Sequence, residues 1–326
     1  MINLGHISTP ASNVETKHVK MLVLGSGPAG LSAALYAARA ELEPVVLTGI
    51  ELGGQAALTN TIENYPGFPE GVGGLELGEL FQKQAERFGA KVEFDSAQSV
   101  DLSQRPYQVP TDNAEYLADT LVVATGARPN HLEIPGETEL TGKGVSYCAT
   151  CDGWFFKEKK VVVVGGGDSA LEEGLFLTRF ATSVTIVHRR DSLRAGKVLQ
   201  NRAFNNPKVK FIWNAVVSEV IGAEKVTALK LNNTQTGAES TLETDGLFIF
   251  IGHTPNTQMF KGQLDMDELG YIKASHFMET NIPGVFVAGE VADSHFRQVI
   301  TSAGMGASAA IQATHFLEKE TAQAHV

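Results

Sequence analysis

Both cysteines of this chain lie in one eight-residue stretch, residues 146–153, which reads SYCATCDG. Cys148 and Cys151 are three positions apart, a spacing that occurs in metal half-sites, in structural disulfides and in redox-active pairs. A structural zinc ion needs four ligands, and no histidine lies near Cys148 at zinc-finger spacing. We therefore favour a redox centre, which is what an adjacent pair most often forms where thiols are kept reduced.

The composition favours such a compartment and argues against several classes of function. The 326 residues are 43% hydrophobic and 19% charged, which suits a chain of two globular domains. A net charge of -11 argues against a nucleic-acid partner, since phosphates are bound by clustered lysine and arginine. The first twenty residues contain no apolar signal-peptide core, and no apolar run approaches the length of a membrane span. We expect a cytoplasmic protein that does not bind membranes and begins with a poorly ordered lead-in.

The first element that could position a cofactor is a glycine turn between a strand and a helix. The apolar run KMLVL at 20–24 predicts the strand, and LSAALYAARA predicts the helix. In a dinucleotide-binding unit the first glycine makes the tight turn, the second admits a pyrophosphate, and the third lets helix pack on strand. The residues of this turn are Gly25, Ser26, Gly27, Pro28, Ala29 and Gly30.

The same pattern returns 140 residues later, after a strand predicted at 160–164. One such motif could be a loop with chance glycines, but two in the same strand–turn–helix context indicate two nucleotide-binding units. The residues of the second turn are Gly165, Gly166, Gly167, Asp168, Ser169 and Ala170.

A second pattern that occurs once in each unit indicates where its last strand ends. ATGARPN at 124–130 and IGHTPN at 251–256 each follow an apolar run, although two unrelated strand exits would read similarly. The chain then continues with GVFVAG at 284–289 and a helix that begins near Gln298, which suggests a return to the first unit. We predict an α/β fold of two three-layered, Rossmann-like domains with parallel sheets. Residues 1–129 and 258–326 would form one discontinuous domain, and residues 130–257 the inserted one.

The residue about twenty positions past the first glycine reads the cofactor's ribose, and here it differs between the units. The first unit has Thr48 at this position, whereas the second has His188, followed by Arg189, Arg190 and Arg194. Guanidinium groups bind a 2′-phosphate that an acidic residue would repel, so the second unit is predicted to bind NADPH. The alternative is a solvated basic turn.

The cofactor of the first unit follows from the chemistry that must connect NADPH with the cysteines. Direct hydride transfer from NADPH to a disulfide is poor, and a flavin bridges the two. The first unit lacks both an acidic and a basic ribose reader and is followed by a Gly- and Asn-rich stretch at 48–69 that could lie along a larger cofactor. We therefore predict FAD in the first unit.

Taken together, these motifs resemble the bacterial-type, low-molecular-weight thioredoxin reductase family over residues 19 to 318. The resemblance is carried by GSGPAG, GGQ, ENYPGFP, ATGA, CATCDG, GGGDSA, HRRDSLRA and AGEVAD followed by RQ. It implies an NADPH-dependent thioredoxin-disulfide reductase that uses thioredoxin as its protein substrate and forms a homodimer through its FAD domain. It also implies a rotation of the NADPH domain between half-reactions, with hinges at ARPN and HTPN.

The resemblance assigns roles to single residues. Cys148 and Cys151 would form the redox-active disulfide, with Cys151 facing the flavin, Cys148 attacking thioredoxin, and Asp152 serving as the acid/base. No metal ligand is expected. The residues expected to hold FAD are Gly25 to Gly30, Thr48, Gly53, Gly54, Gln55, Asn64, Ala124, Thr125, Gly126, Gly289, Glu290, Arg297 and Gln298. Those expected to hold NADPH are Gly165, Gly167, Asp168, Ser169, Ala170, His188, Arg189, Arg190 and Arg194.

One position departs from the family pattern, and other features keep alternatives open. Glu290 stands where the family has a shorter aspartate, so we expect weaker FAD retention. The aromatic run at 154–156 could dock thioredoxin or pack beneath the redox turn. His253 and His295 are given no chemical role. The rival functions are an NADPH–flavin reductase of another dithiol partner and a non-catalytic redox sensor.

Overall fold

A computed structural model describes residues 15–49, 52–59 and 61–324, so most of the predicted lead-in, residues 1–14, lies outside the described residues. The chain divides into two compact units. The first draws on residues 1–58, 74–126 and 255–326, and the second on residues 59–73 and 127–254. Residues 59–73, assigned above to the FAD domain, thus group with the second unit. No helix in the described ranges is long and apolar enough to cross a lipid bilayer.

The first unit carries the first glycine turn between its opening strand and helix. Its strands are β1 (Glu15–Leu24), β2 (Val45–Leu47), β3 (Lys91–Glu93), β4 (Tyr107–Pro110), β5 (Ala114–Val123) and, much later in the chain, β16 (Val285–Val287). Its helices are α1 (Pro28–Arg39), α2 (Gly74–Arg87) and α6 (Val299–Ala324), with 3-10 turns at Gly54–Leu58 and Gln258–Phe260.

These strands form a parallel sheet in the order β16-β5-β1-β2-β3, to which β4 adds antiparallel on β5. Strand β1 begins five residues before the predicted run because residues 15–19 also pair with β5. These residues are not fully buried, so no apolar run marks them in the sequence. Side chains alternate across the sheet, so Met21 packs with the alanines of α1 and α6 while Leu22 packs with Phe260 on the other face. The glycine turn, residue 48, residues 124–126 and residues 288–290 all follow carboxyl ends of these strands.

The second unit repeats this plan around the second glycine turn. Its strands are β6 (Ala127–Pro129), β7 (Val145–Ser146), β8 (Lys160–Val164), β9 (Ser183–His188), β10 (Val209–Trp213), β11 (Ala215–Ile221), β12 (Ala228–Asn233), β13 (Glu239–Glu243), β14 (Gly246–Ile249) and β15 (His253–Pro255). Its helices are α3 (Ala149–Asp152), α4 (Asp168–Leu177) and α5 (Lys197–Phe204), with a 3-10 turn at Gly153–Phe156.

The parallel sheet of the second unit has the order β10-β9-β8-β14-β7, which matches the first unit strand for strand. The outer place that β16 fills in the first unit is filled here by β7, which precedes the glycine strand β8 in the chain. Strands β11, β12 and β13 form an antiparallel sheet over one face. The predicted α/β class with two dinucleotide-binding parallel sheets is confirmed. Because β7 ends at Ser146, the cysteine pair emerges at the same edge of the sheet as the second glycine turn.

Candidate active site

The cysteine pair is a disulfide at the start of the short helix α3. Cys148 and Cys151 are bonded, with their Cα atoms 5.3 Å apart. Cys148 is the N-cap of α3 in an extended conformation, and its Sγ atom accepts a hydrogen bond of 3.2 Å from the backbone N–H of Cys151. The helical turn thus holds both sulfur atoms at the carboxyl edge of the sheet, where neither cysteine is fully buried.

Asp152 lies at the end of the same turn and is held by Ser146. The Ser146 Oγ atom is 2.5 Å from Asp152 Oδ2, 3.1 Å from the Cys148 N–H nitrogen and 3.2 Å from the Cys148 carbonyl oxygen. Burial raises the pKa of Asp152, and the hydrogen bond from Ser146 partly opposes that rise. A carboxyl group of this kind can hold a proton next to the disulfide. Ser146 did not stand out in the sequence, since its only signal is its place at the end of a strand before the cysteines.

A second carboxylate, that of Glu137, binds the residue that directly follows β7. The Tyr147 hydroxyl donates a 2.7 Å hydrogen bond to Glu137 Oε1 and lies 2.8 Å from His131 Nδ1. Glu137 is buried, and its pKa lies below its usual range because the opposing effect of burial is outweighed by hydrogen bonds from backbone N–H groups, beginning with that of Leu132, and from Tyr147. Sequence reasoning missed this cluster, because nothing local marks Glu137 as buried.

The first glycine turn has the features of a pyrophosphate cradle. Gly25 has a φ of +108°, and a Cβ atom there would lie 2.4 Å from the Ala124 carbonyl oxygen. A Cβ atom on Gly30 would lie 1.9 Å from the Gly25 carbonyl oxygen, so the helix could not approach the turn. At Gly27 the same test finds open space, and this residue caps α1 without a side chain. The free N–H groups of the first helical turn thus face room for an anion.

Several other residues predicted to hold FAD gather around this turn. Ser26 Oγ donates to the Thr48 carbonyl oxygen at 3.3 Å, and the Gly53 N–H donates to the Ser26 carbonyl oxygen at 3.1 Å. A Cβ atom on Gly54 would lie 3.1 Å from the Cα atom of Gly27. The remaining predicted residues lie as follows: Pro28 and Ala29 in the first turn of α1, Gln55 in the adjoining 3-10 turn, Ala124, Thr125 and Gly126 directly after β5, and Asn64 in the second unit.

The segment after β16 brings a charged cluster to the same edge. Gly289 has a φ of +81°, and a Cβ atom there would lie 2.9 Å from the Cβ atom of Ala29. Burial raises the pKa of the next residue, Glu290, to about 7, against the effect of Arg297. The Arg297 Nε atom is buried without a hydrogen-bond partner, and Gln298 directly precedes α6. An unsatisfied buried donor of this kind fits a site that a polar ligand completes.

The second glycine turn repeats the geometry of the first. Gly165 has a φ of +151°, and a Cβ atom there would lie 2.5 Å from the Phe250 carbonyl oxygen and 2.6 Å from the Cβ atom of Ala170. Gly167 caps α4 without a side chain, and a Cβ atom there would meet nothing within 4 Å. Ser169 follows in the first turn of α4. This turn can therefore also admit a pyrophosphate to a helix N-terminus.

The basic loop predicted to read the ribose is tied to this turn. The Arg194 N–H donates to the Gly166 carbonyl oxygen at 2.8 Å, and Asp168 Oδ1 accepts from the Gly196 N–H at 2.7 Å. Arg189, Arg190 and Arg194 are exposed, and none of them forms an ion pair within the described ranges. Three unpaired guanidinium groups beside a phosphate cradle suit a 2′-phosphate.

His188 differs from its neighbours in this cluster. Its side chain is buried, and its ring fills the space above Gly166, where a Cβ atom would lie 2.3 Å from it. Burial, together with the nearby arginines, lowers the pKa of His188. The exposed positive charge of the cluster therefore lies on the arginines, whereas His188 shapes the turn from a buried position.

The aromatic run after the cysteines divides between its two possible roles. Phe156 is buried and packs edge-on against Phe248, with ring centroids 4.9 Å apart. Trp154 and Phe155 expose 57% and 43% of their surface. Two of the three aromatic side chains are thus available beside the disulfide.

A disulfide built onto one of two dinucleotide-binding units defines a nucleotide-dependent disulfide oxidoreductase. Residues 19–307 match the family described as pyridine nucleotide-disulphide oxidoreductase, and the chain belongs to this family.

The chain is similar to several thioredoxin reductases over nearly its whole length. It is 51% identical to that of Streptomyces clavuligerus over 91% of this chain and 93% of the relative. The enzyme of Rickettsia bellii is 52% identical over 92% and 98% of the two chains. The crystal structure of thioredoxin reductase from Streptococcus pyogenes superimposes with a TM-score of 0.89 at 43% identity, covering 93% of this chain and 99% of that one.

Proposed function

We propose that the chain is an NADPH-dependent thioredoxin-disulfide reductase that uses FAD. The observation that carries the proposal is the Cys148–Cys151 disulfide at the carboxyl edge of the same sheet that carries the second glycine turn. The thioredoxin reductases to which the chain is similar supply the substrate class.

The first unit supplies the residues that would hold FAD. The open space at Gly27 fits the pyrophosphate, and Thr48, Gly53 and Gly54 line the stretch beside it. Glu290, Arg297 and Gln298 would meet the remainder of the cofactor, and the free Arg297 donor supports this assignment. FAD supplies, when bound, a two-electron link between the hydride of NADPH and the disulfide.

The second unit supplies the residues that would hold NADPH. Gly165 and Gly167 form the cradle for its pyrophosphate, and the first turn of α4 points its N–H groups at that space. Arg189, Arg190 and Arg194 would bind the 2′-phosphate that distinguishes NADPH from NADH.

The reduced cysteines would carry the electrons to thioredoxin by thiol–disulfide exchange. The Cys148 thiolate attacks one sulfur of the thioredoxin disulfide, that bond breaks, and Asp152 gives a proton to the departing thiolate. The Cys151 thiolate then attacks the Cys148 sulfur, which re-forms the Cys148–Cys151 disulfide and releases the second thioredoxin sulfur as a thiolate that takes its proton from solvent. Two electrons and two protons thus pass to thioredoxin in each cycle.

One geometric demand implies a moving domain. The disulfide and the proposed nicotinamide site belong to the second unit, whereas FAD is proposed in the first, so both must reach one flavin in turn. We infer that residues 130–257, the NADPH domain, rotate against residues 1–129 and 258–326, the FAD domain. The chain passes between the two units at ARPN and HTPN, so we place the hinges at these crossings. Asn130 accepts a 2.8 Å hydrogen bond from Thr254 there, and Asn256 donates one of 2.8 Å to the Thr125 carbonyl oxygen.

The same assignment suggests where thioredoxin docks, how the chain assembles and in which compartment it works. Thioredoxin would dock on the exposed Trp154 and Phe155 beside the disulfide. The family relationship supports a homodimer through the FAD domain, and a reducing cytoplasm would suit the cysteine pair.

The proposal is tested by comparing the wild-type chain with the variants Cys148→Ser and Cys151→Ser. We expect NADPH consumption by the wild type to require oxidised thioredoxin and to stop in both variants, while each variant still consumes NADPH with an artificial one-electron acceptor. A wild type that consumes NADPH without passing electrons to thioredoxin would instead favour another dithiol partner. A single turnover that then stops would favour a redox sensor.

A further inference from the structure

Among the described hydrogen bonds, the Ser146 hydroxyl is the only one that connects Asp152 with the backbone of Cys148. Its Oγ atom lies 2.5 Å from Asp152 Oδ2, 3.2 Å from the Cys148 carbonyl oxygen and 3.1 Å from the Cys148 N–H nitrogen. Ser146 exposes 4% of its surface, so water cannot easily replace any of these contacts. A hydroxyl group has one proton to donate and two lone pairs to accept with. Ser146 therefore faces two acceptors with a single proton.

This arrangement has two complete hydrogen-bond patterns, one for each protonation state of Asp152. When Asp152 is ionised, the Ser146 hydroxyl donates to its carboxylate and accepts from the Cys148 N–H. When Asp152 carries the proton on Oδ2, the carboxylic acid donates to Ser146 Oγ, and the hydroxyl turns to donate to the Cys148 carbonyl oxygen. The Cys148 carbonyl oxygen also accepts a 3.2 Å hydrogen bond from the Asp152 N–H, so it keeps a donor when the Ser146 hydroxyl turns away. Neither pattern therefore leaves the Ser146 hydroxyl, Asp152 Oδ2 or the Cys148 carbonyl unpaired, which would be costly in a buried site.

Among the described residues, no charged side chain contributes to the shift in the pKa of Asp152. Helix α4, which packs against α3, carries Asp168, Glu172 and Glu173, yet the pKa of Asp152 is set by burial and by the Ser146 hydrogen bond alone. An acid that must give up and regain a proton in every cycle needs both of its states to be held in place.

We infer that Ser146 is the positioning residue of Asp152, whose hydroxyl turns between the Asp152 carboxylate and the Cys148 carbonyl as Asp152 loses and regains its proton. This inference rests on the proposed role of Asp152 as the acid of the thioredoxin half-reaction. The rotation moves no proton between residues. The proton that Asp152 gives to the departing thiolate returns to Asp152 from solvent.

The inference is tested with Ser146→Ala, with Ser146→Thr as the variant that keeps the hydroxyl, and with Ser218→Ala as a matched control. Ser218 likewise donates to a backbone carbonyl, that of Lys230 at 3.3 Å, but it lies in the antiparallel sheet. The first readout is difference infrared spectroscopy of the Asp152 carboxyl band as a function of pH in the oxidised protein, with Asp152→Asn identifying the band. The second is the pH profile of thioredoxin reduction by the prereduced enzyme.

Without the hydroxyl, the ionised carboxylate loses a donor, so we expect the Ser146→Ala band to titrate at higher pH than in the wild type. The alkaline limb of the rate profile should move the same way, and the maximum rate should fall about tenfold because the acid is no longer aligned. Ser146→Thr should restore both, and Ser218→Ala should change neither. An unmoved infrared titration in Ser146→Ala would overturn the inference. If the infrared titration moves but even the wild type fails to reduce thioredoxin, the proposed function fails while the hydrogen-bond switch stands.

Discussion

Replacing Gly167 by alanine tests whether this glycine is required for ligand binding or for the stability of the fold. The backbone at Gly167 is extended, with a φ of -95°, and a new Cβ atom would meet nothing within 4 Å, so alanine adds no strain to the protein itself. Alanine caps a helix less well than glycine, but it also restricts the unfolded chain, and these effects oppose each other at about 0.5–1 kcal/mol each. We therefore expect the melting temperature to stay within about 2 °C of the wild type.

The same methyl group would occupy the space that we assign to the NADPH pyrophosphate. Lengthening one charge-assisted hydrogen bond from the backbone costs about 1.5–3 kcal/mol, which corresponds to a roughly ten- to hundredfold weaker affinity for NADPH and for NADP⁺, because both carry the same pyrophosphate. Isothermal titration with NADP⁺ and a thermal melt measure the two quantities on one sample. Gly304→Ala is the control, because Gly304 is exposed in α6 with nothing within 4 Å of its Cβ position and should leave NADP⁺ binding unchanged. A stable Gly167→Ala protein with wild-type affinity would refute the assignment of this space.

Substitutions at three further sites test the ribose-binding, FAD-binding and thioredoxin-docking assignments. Replacing Arg189 and Arg190 together by alanine should lower kcat/KM for NADPH about tenfold to a hundredfold and leave that for NADH within about threefold, as steady-state kinetics would show; an equal loss for both would contradict a 2′-phosphate site. Because burial raises the pKa of Glu290 from 4.5 to about 7, the cofactor-free chain should lose stability, at most of the order of 3 kcal/mol, as pH rises between these values, and stay level above them. In Glu290→Gln, the free energy of unfolding measured with urea should not fall with pH over this range. In a separate test, Glu290→Asp should slow the release of FAD. An unchanged release rate would show that the longer side chain does not weaken FAD retention. Replacing Trp154 and Phe155 by alanine should raise the KM for thioredoxin about tenfold without slowing flavin reduction by NADPH, and an unchanged KM would place the docking surface elsewhere.

The parts of the fold that repeat a local pattern could be predicted from the sequence. The glycine strands, the helices behind them and the final helix lie where the apolar periodicity puts them, because a buried strand and its glycine turn must be encoded by neighbouring residues. The predicted strand is five residues shorter than β1, since residues 15–19 pair with β5 without being fully buried.

What could not be predicted depends on long-range packing. Nothing near β7 in the sequence shows that this short strand takes the outer place that β16 takes in the first unit. The burial of Glu137 depends on backbone N–H groups that become available only after folding. His188 is expected from the sequence to help hold NADPH, and only the folded structure shows that its ring is buried above Gly166, where burial lowers its pKa.

The most direct test of the central claim is an anaerobic spectral titration of the purified holoprotein. NADPH is added until the flavin absorbance bleaches, and oxidised thioredoxin is then added. The account predicts that the absorbance returns in proportion to the thioredoxin added, and that Cys148→Ser bleaches without returning. Bleaching in the wild type without any return on addition of thioredoxin would contradict the proposed path from NADPH through Cys148 and Cys151.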